Sequence, residues 1–138
     1  MRAMSQENVE VAVSALEKWN SGDDTGALES LAPDVEVHHN IGRGTPLEGI
    51  YQGHAEVRKL WADIRESFAE ARFDIARATE HDGVVLVLGT LRLHGTGSGA
   101  VADTPFGLVT EFEHGVGKRQ FFWTGDQSKA LEAVGLAE

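Results

Sequence analysis

Apolar residues recur at helical spacing near the start of the chain. The stripe consists of residues three or four positions apart: Val9, Ala12, Val13 and Leu16. Ser5 precedes this stripe with a hydroxyl that can cap free backbone amides. Gly22 follows Trp19 and can adopt the left-handed conformation that often ends a helix. The spacing predicts a first helix from about Ser5 to Gly22.

Two further helices are predicted before most of the strands. Asp23 or Asp24 can cap a short helix, and Pro33 ends it because proline lacks a backbone donor and disfavours helix in the residue before it. The apolar residues of this helix are Ala27, Leu28 and Leu31. A third helix opens near Gly53 and carries a longer stripe: Val57, Leu60, Trp61, Ile64 and Phe68. We expect the first two helices to form a hairpin.

The hydrophobic period changes to two after Pro33. Here Val35, Val37 and His39 alternate with Glu36, His38 and Asn40. This alternation is typical of a half-buried strand. After residue 69 the pattern predicts four more strands: one around Phe73 and Ile75, then Val84–Leu93, Pro105–Glu113 and Lys118–Thr124. A short helix with Ala130, Leu131 and Val134 on its apolar face closes the chain.

The order of these elements predicts the fold class. The last four strands are consecutive and joined by short turns such as Asp82-Gly83 and Gly95–Gly99, so we expect antiparallel pairing. Ile41–Gly49 is predicted to be a loop. Helices followed by a meander of strands indicate the α+β class. A strongly curved sheet wrapped by the N-terminal helices would enclose a pocket.

Composition narrows the range of partners. The 138 residues predict a single domain spanning the chain, with a formal net charge of −10 and no cysteine. Because the negative balance is shared by both halves, we expect neither nucleic acid nor an anionic membrane as a partner. The longest apolar run, Val84–Leu88, is too short to cross a bilayer, and the amino terminus lacks a secretory pattern. We therefore expect a cytoplasmic protein.

Several segments together resemble the nuclear transport factor 2-like superfamily and, within it, the SnoaL-like proteins. They are Glu7–Glu10, Trp19–Asp23, Leu31–His38, the Gly-His-Ala-Glu-Val run from Gly53, Gly95–Gly99 and Ala130–Leu136. Their order spans nearly the whole chain. The resemblance implies a cone-shaped α+β barrel with a mostly antiparallel sheet and an apolar pocket, frequently homodimeric through the sheet. The fold carries isomerases, polyketide cyclases, hydrolases and proteins without catalysis, so it names no reaction.

Ketosteroid isomerase is the informative relative because its chemistry depends on three side chains. It uses a tyrosine, an aspartate base and a protonated aspartic acid. The resemblance puts Ala15, His39 and Thr110 at these positions, so all three depart from that pattern. Many SnoaL-like proteins carry an arginine where this chain has Phe122. Steroid isomerisation by the same mechanism is not expected, although a histidine at the base position keeps proton transfer open.

His39 is the candidate catalytic residue. Strand alternation places it on the face of Val35 and Val37, which we expect to be the interior. An imidazole has an ordinary pKa of about 6.5 and an apolar wall lowers it, so neutral histidine can act as a general base. The alternative is a buried histidine that is satisfied by a neighbour. His38 points the opposite way, and no metal site is expected.

Seven further side chains are candidate ligand contacts. They are Trp19, Tyr51, Arg92, Phe106, Thr110, Phe112 and Trp123. Aromatic rings supply contact area for a flat ligand, although such residues more often form ordinary core. Period two puts Thr110 inside with its apolar neighbours and Glu111 and Glu113 outside, whereas both faces of the strand that carries Arg92 are apolar and leave its direction open.

Two hypotheses follow from the sequence. In the first, a cofactor-independent enzyme binds a small hydrophobic molecule and moves a proton with His39, aided by Tyr51 or Arg92, in an isomerisation, cyclisation or hydrolysis. In the second, the same fold is a non-catalytic ligand-binding or dimerising domain in which His39 is structural. An open cavity with polar groups around His39 favours the first hypothesis, and a cavity filled by aromatic rings favours the second.

Overall fold

The computed structural model describes residues 2–40, 48–95, 101–125 and 127–135. The helices are α1 (Arg2–Asn20), α2 (Asp24–Leu28), α3 (Gly53–Ser67) and α4 (Ser128–Ala133). The strands are β1 (Leu31–Asn40), β2 (Gly49–Gln52), β3 (Phe68–His81), β4 (Val84–Gly95), β5 (Val101–Glu113) and β6 (Val116–Thr124). None of the helices in these ranges has the length and apolar character needed to span a membrane.

All six strands form one sheet in the order β2-β1-β6-β5-β4-β3. Only β1 and β6 pair in parallel, and every other pair is antiparallel. The predicted α+β class and mostly antiparallel sheet are confirmed. The sheet does not close into a barrel, because β2 and β3 remain its two edges.

The sheet curves around the helices. Helix α3 packs against β1 and β2 at one edge and also against β3 at the other edge, and α1 packs against β3 and β4. One helix can reach both edges only if the strands bend around it. Register shifts supply local bends, for example between Ile75 and Arg77 in β3 and between Glu111 and Phe112 in β5. The concave face of the sheet is therefore covered by α1 and α3.

The first helices differ in their bounds from the prediction. Helix α1 already begins at Arg2. Asp23 caps α2 as expected, since its carboxylate accepts a hydrogen bond from the Gly26 amide at 2.9 Å. However, α2 ends at Leu28, and Leu31 already belongs to β1. Pro33 lies inside that strand, where the register shifts between Leu31 and Glu36 and the missing donor is tolerated.

Strand β2 is an element that the sequence pattern does not reveal. It has only four residues and pairs with β1, with Tyr51 opposite Val37. Tyr51 therefore lies in an edge strand and not in a loop. The predicted loop Ile41–Gly49 falls mostly outside the described residues, as do residues 96–99 of the predicted hairpin loop.

Strand β4 is apolar on both faces because both faces are covered. Val85, Val87 and Leu91 belong to the inner core beneath α1. On the outer face Leu86 and Leu88 pack with Val109 and with Ala130 of α4. Gln127 fixes the start of α4, since its side-chain amide donates to the carbonyl oxygens of Gly89 and Phe106 at 3.2 and 3.0 Å. The continuous apolar run of β4 thus reflects two hydrophobic layers.

Candidate functional site

The concave face of the sheet and the helices enclose an apolar space of about 70 Å³, which we call the inner cavity. Its helical side consists of Ala12, Ala15, Leu16, Trp19, Ala27, Leu60, Trp61 and Ile64, with Ser30 and Leu31 beside them. Its sheet side consists of Val37, His39, Phe73, Leu108, Thr110, Phe112, Gln120 and Phe122. Only a few of these side chains are polar.

His39 forms part of the cavity wall and is 6% exposed. It lies on the inner face of β1 with Val35 and Val37, as the alternation predicts. Its ring stacks on Phe122 with the centroids 5.1 Å apart, and the Tyr51 ring meets it edge-on at 6.3 Å. The imidazole is thus held between aromatic groups on the sheet side of an enclosed space.

Thr110 and Gln120 place further polar groups on the same wall. The Gln120 amide donates to the Thr110 hydroxyl oxygen at 3.2 Å. The register aligns Val37, Gln120 and Thr110 across β1, β6 and β5, and His39 lies in the next inward row, beside Phe122. Three polar side chains therefore form a strip on an otherwise apolar surface.

Trp19 lies on the opposite, helical side and is 3% exposed. Its ring meets Phe73 edge-on at 5.1 Å, and the Arg65 guanidinium lies 4.2 Å from its centroid. The adjacent Asn20 holds this arrangement, because its side-chain amide exchanges two hydrogen bonds of 2.9 Å with the Phe73 backbone. Among the described residues, the indole N–H of Trp19 is the buried side-chain polar atom without a hydrogen-bond partner.

Tyr51 contacts His39 but does not line the inner cavity. Burial raises the pKa of its phenol, and the negative charge of Asp63 raises it further. The phenol is therefore neutral at physiological pH and keeps its proton.

Three predicted ligand contacts lie elsewhere. Phe106 is fully buried in the inner core, where it contacts Phe73 and Phe122 but not the inner cavity. Trp123 lies on the outer face and stacks on Phe121. Arg92 also points outward, since its side chain is 59% exposed and forms an ion pair with Asp74. Phe112 does line the cavity, together with Thr110.

Other cavity residues escape the sequence analysis. Trp61 belongs to the apolar stripe of α3 and packs against the core, and it also lines the cavity. Gln120 shares the period-two face of Phe122, which is a signal that it points inward. Glu111 lies outside as predicted and accepts a hydrogen bond from Arg119 at 3.0 Å.

The other described histidines are dispersed over the surface. Four of them form a hydrogen bond through the ring: His38 with Glu36, His54 with the Leu31 carbonyl, His81 with Thr79, and His94 with Glu70. In the described ranges, no three His, Asp or Glu side chains come together in a geometry that suits a metal ion. The chemistry that the site itself offers is proton exchange at His39 and hydrogen bonding by Thr110 and Gln120.

Comparison with known proteins places this architecture among related structures. An NTF2-like protein of unknown function from Burkholderia pseudomallei K96243 is 27% identical to this chain. Their alignment covers 94% of this chain and 98% of that protein, with a TM-score of 0.80. TerC, crystallised with polyporic acid, is 24% identical over 93% of this chain and 97% of its own, with a TM-score of 0.79. A putative SnoaL-like polyketide cyclase from Jannaschia sp. CCS1 is 16% identical over 98% of this chain and 95% of its own, with a TM-score of 0.76.

No curated protein matches the sequence significantly. The family model of the SnoaL-like domain matches residues 12–118, which include α1 from Ala12 onwards and the strands β1 to β5. The chain therefore belongs to the SnoaL-like domain family.

Proposed function

We propose that this protein binds a small, mostly apolar molecule in the inner cavity and exchanges a proton with it through His39. The observation that carries the proposal is a buried imidazole in the wall of an enclosed apolar space, with Thr110 and Gln120 beside it. The composition is that of a small-molecule site, in which a few polar groups orient an apolar ligand, and the volume of about 70 Å³ restricts that ligand to a compact molecule.

The proton transfer needs no group beyond the ligand and the chain. A neutral His39 nitrogen accepts a proton from a carbon or oxygen atom of the ligand, and the electron pair left behind shifts within the ligand. The imidazolium then returns the same proton to another atom, which completes an isomerisation or cyclisation. Hydrolysis would use the same base and one water molecule: His39 takes a proton from the water as its oxygen bonds to the ligand, the bond to the leaving oxygen breaks, and the imidazolium gives the proton to that leaving oxygen. Positioned general bases contribute about 10²- to 10⁴-fold to such reactions.

Two structural relatives support this choice of ligand and reaction. TerC was crystallised with polyporic acid, and the protein from Jannaschia sp. is described as a putative SnoaL-like polyketide cyclase. Both are less than 25% identical to this chain, so their chemistry enters here only as a guide to the compounds worth testing.

The test compares His39→Gln with His38→Gln in a screen of hydrophobic metabolites. His38 is the matched control, because it neighbours His39 in sequence but lies on the outer face of β1. Compounds that raise the melting temperature are then assayed for turnover by chromatography. We expect about 100-fold slower turnover in His39→Gln and near wild-type rates in His38→Gln. The wild-type rate should rise with pH as histidine loses its proton.

The second candidate function is a non-catalytic, self-associating binding domain. It is favoured by an apolar row on the outer face, which we call the outer aromatic row: His38, Phe121 and Trp123. The His38 and Phe121 rings stack at 4.5 Å, and nearby Ile50 is 62% exposed. If ligands stabilise wild type and His39→Gln equally and none is converted, this second function replaces the first.

A further inference from the structure

The indole N–H of Trp19 is a buried donor without an acceptor. Among the described residues, this atom has no hydrogen-bond partner, although Trp19 is only 3% exposed. Buried polar groups almost always find a partner, because losing water without a replacement is unfavourable. The Trp19 side chain belongs to the wall of the inner cavity, so a molecule bound there is the available source of an acceptor.

The surroundings of Trp19 prevent the ring from turning to find an acceptor in the protein. Arg65 covers one face of the ring and donates to the Trp19 carbonyl oxygen at 3.0 Å and to Asp24 at 2.6 Å. Phe73 meets the ring edge-on and is itself held by Asn20. Groups from α1, α3 and β3 thus fix the indole ring. Its N–H therefore stays without an acceptor in the described part of the protein.

We propose that Trp19 is a specificity-determining residue, whose N–H donates a hydrogen bond to an oxygen atom of the ligand. This inference rests on the proposed binding of an apolar molecule in the inner cavity and narrows its class to compact, mostly apolar compounds with a carbonyl or ether oxygen. Indole N–H is a donor only, so it recognises an acceptor and gains nothing from a hydrocarbon or from a group that only donates.

The position of Trp19 also separates recognition from proton transfer. Trp19 contacts Phe73, whereas His39 stacks on Phe122, and the two phenylalanine rings meet each other at 5.8 Å. Trp19 lies on the helical side of the cavity and His39 on the sheet side. A ligand that occupies the cavity therefore meets an oxygen-binding donor on one side and a proton acceptor on the other.

The test uses two compact ligands of nearly equal shape, cyclopentanone and cyclopentane, which differ by a carbonyl in place of a methylene and suit a small cavity better than larger rings would. Their dissociation constants are measured by calorimetry for wild type and for Trp19→Phe, which keeps an aromatic ring and loses the N–H. The quantity of interest is the ratio of the two constants in each protein, because the difference in solvation between the ligands then cancels. We expect the preference for cyclopentanone to fall about tenfold in Trp19→Phe.

Trp123→Phe is the matched control, because Trp123 lies on the outer face away from the inner cavity. The ratio of the two dissociation constants in Trp123→Phe should equal the ratio in wild type. If both ligands bind and Trp19→Phe leaves the ratio unchanged, the inference about Trp19 is wrong while ligand binding stands. If neither ligand binds wild type, the inference and the proposed binding function fall together.

A second measurement on the wild-type protein does not depend on how well the variant folds. In a ¹⁵N–¹H spectrum the chain has three indole N–H signals, from Trp19, Trp61 and Trp123, which single Trp→Phe variants assign. We expect cyclopentanone to move the Trp19 indole proton downfield, as hydrogen bonding does, and cyclopentane to leave it without a downfield shift. Equal shifts with the two ligands would contradict a hydrogen bond from Trp19.

Discussion

Asp74 lies on the outer face of the sheet between two arginines. Arg72 donates to its carboxylate at 3.0 Å, and Arg92 forms an ion pair with its other oxygen. The hydrogen bond from Arg72 is the main reason why the pKa of Asp74 lies below the ordinary value of 3.8, and the positive charges of Arg92 and Arg72 lower it further. The candidate ligand contact Arg92 is therefore part of a surface ion-pair group that joins β3 to β4.

The depressed pKa of Asp74 predicts a pH-dependent contribution to stability. The carboxylate stabilises the folded state above its unfolded pKa, and this contribution is lost as the pH falls through the lower folded pKa. We expect Asp74→Asn to melt below wild type near neutral pH and the difference to shrink below about pH 4. Thermal unfolding followed by circular dichroism measures this difference in melting temperature. A range of about pH 2 to 7 suffices, because it spans the ordinary pKa of an aspartate and lower values.

Arg72→Gln provides the control for this prediction. Introduced alone, it should lower stability near neutral pH, and introduced into Asp74→Asn it should add little, because the partner is already gone. A difference between wild type and Asp74→Asn that grows as the pH falls would contradict the assignment.

Helix α4 depends on a glycine in the strand beneath it. A Cβ atom on Gly107 would lie 2.5 Å from the Cβ of Ala130, which is fully buried. Such a separation is closer than non-bonded carbon atoms tolerate. The absence of a side chain at Gly107 thus lets α4 approach β5 and cover the outer hydrophobic layer of β4.

Gly107→Ala is expected to destabilise the protein by about 1–3 kcal/mol, because overpacking forces α4 away from the sheet. Chemical denaturation gives the free energy of unfolding. The double variant Gly107→Ala with Ala130→Gly moves the methyl group from the helix to the strand and should recover part of the loss. Equal stability of Gly107→Ala and wild type would show that the helix is not seated as closely as described.

The two faces of the sheet are covered to different extents. Helices α1 and α3 cover the concave face, whereas the much shorter α4 covers only the part of the convex face formed by β5 and β6. Phe121 and Trp123 of the outer aromatic row are half-buried beside it, and among the described large apolar side chains Ile50 is the one that is mostly exposed, at 62%. Exposed apolar surface of this kind commonly marks a site of association, and the family resemblance suggests a homodimer through the sheet.

We expect wild type to sediment as a dimer and Ile50→Lys to shift it toward monomer, because a buried unpaired charge opposes association. Sedimentation equilibrium over a range of protein concentrations measures the effect. Ala69→Lys is the control, since it adds the same charge on the opposite edge strand β3. A wild-type protein that stays monomeric throughout would rule out association through this face.

The local pattern of apolar, polar and turn-forming residues was sufficient to predict much of the architecture. Alternation in β1 indicated that His39 faces inward, the carboxylate of Asp23 located the cap of α2, and the pair Asp82-Gly83 located a turn in which both residues have positive φ. These features depend on neighbours within a few residues. The order of the elements then indicated the α+β class, and the family resemblance added the cone-like curvature of the sheet.

The place of each strand in the sheet, and the side to which some residues point, could be assigned only from the tertiary structure. Strand β2 is too short to show a period, and it exists because β1 offers a free edge. The outward direction of Arg92 follows from the pairing of whole strands, because both faces of β4 are apolar. Neither relation has a signature within a short window of sequence, because it joins residues far apart in the chain.

The inner cavity shows most clearly how the contribution of the sequence differs from that of the tertiary structure. Amino-acid sequence alone determined which residues are apolar and which faces they share, so it identified Trp19, Thr110 and Phe112 as inward-facing candidates. Only the tertiary structure decided that Trp61 lines a space while Phe106 fills the core. The same apolar side chain serves either role, and the choice depends on how far apart distant helices and strands are held when they pack.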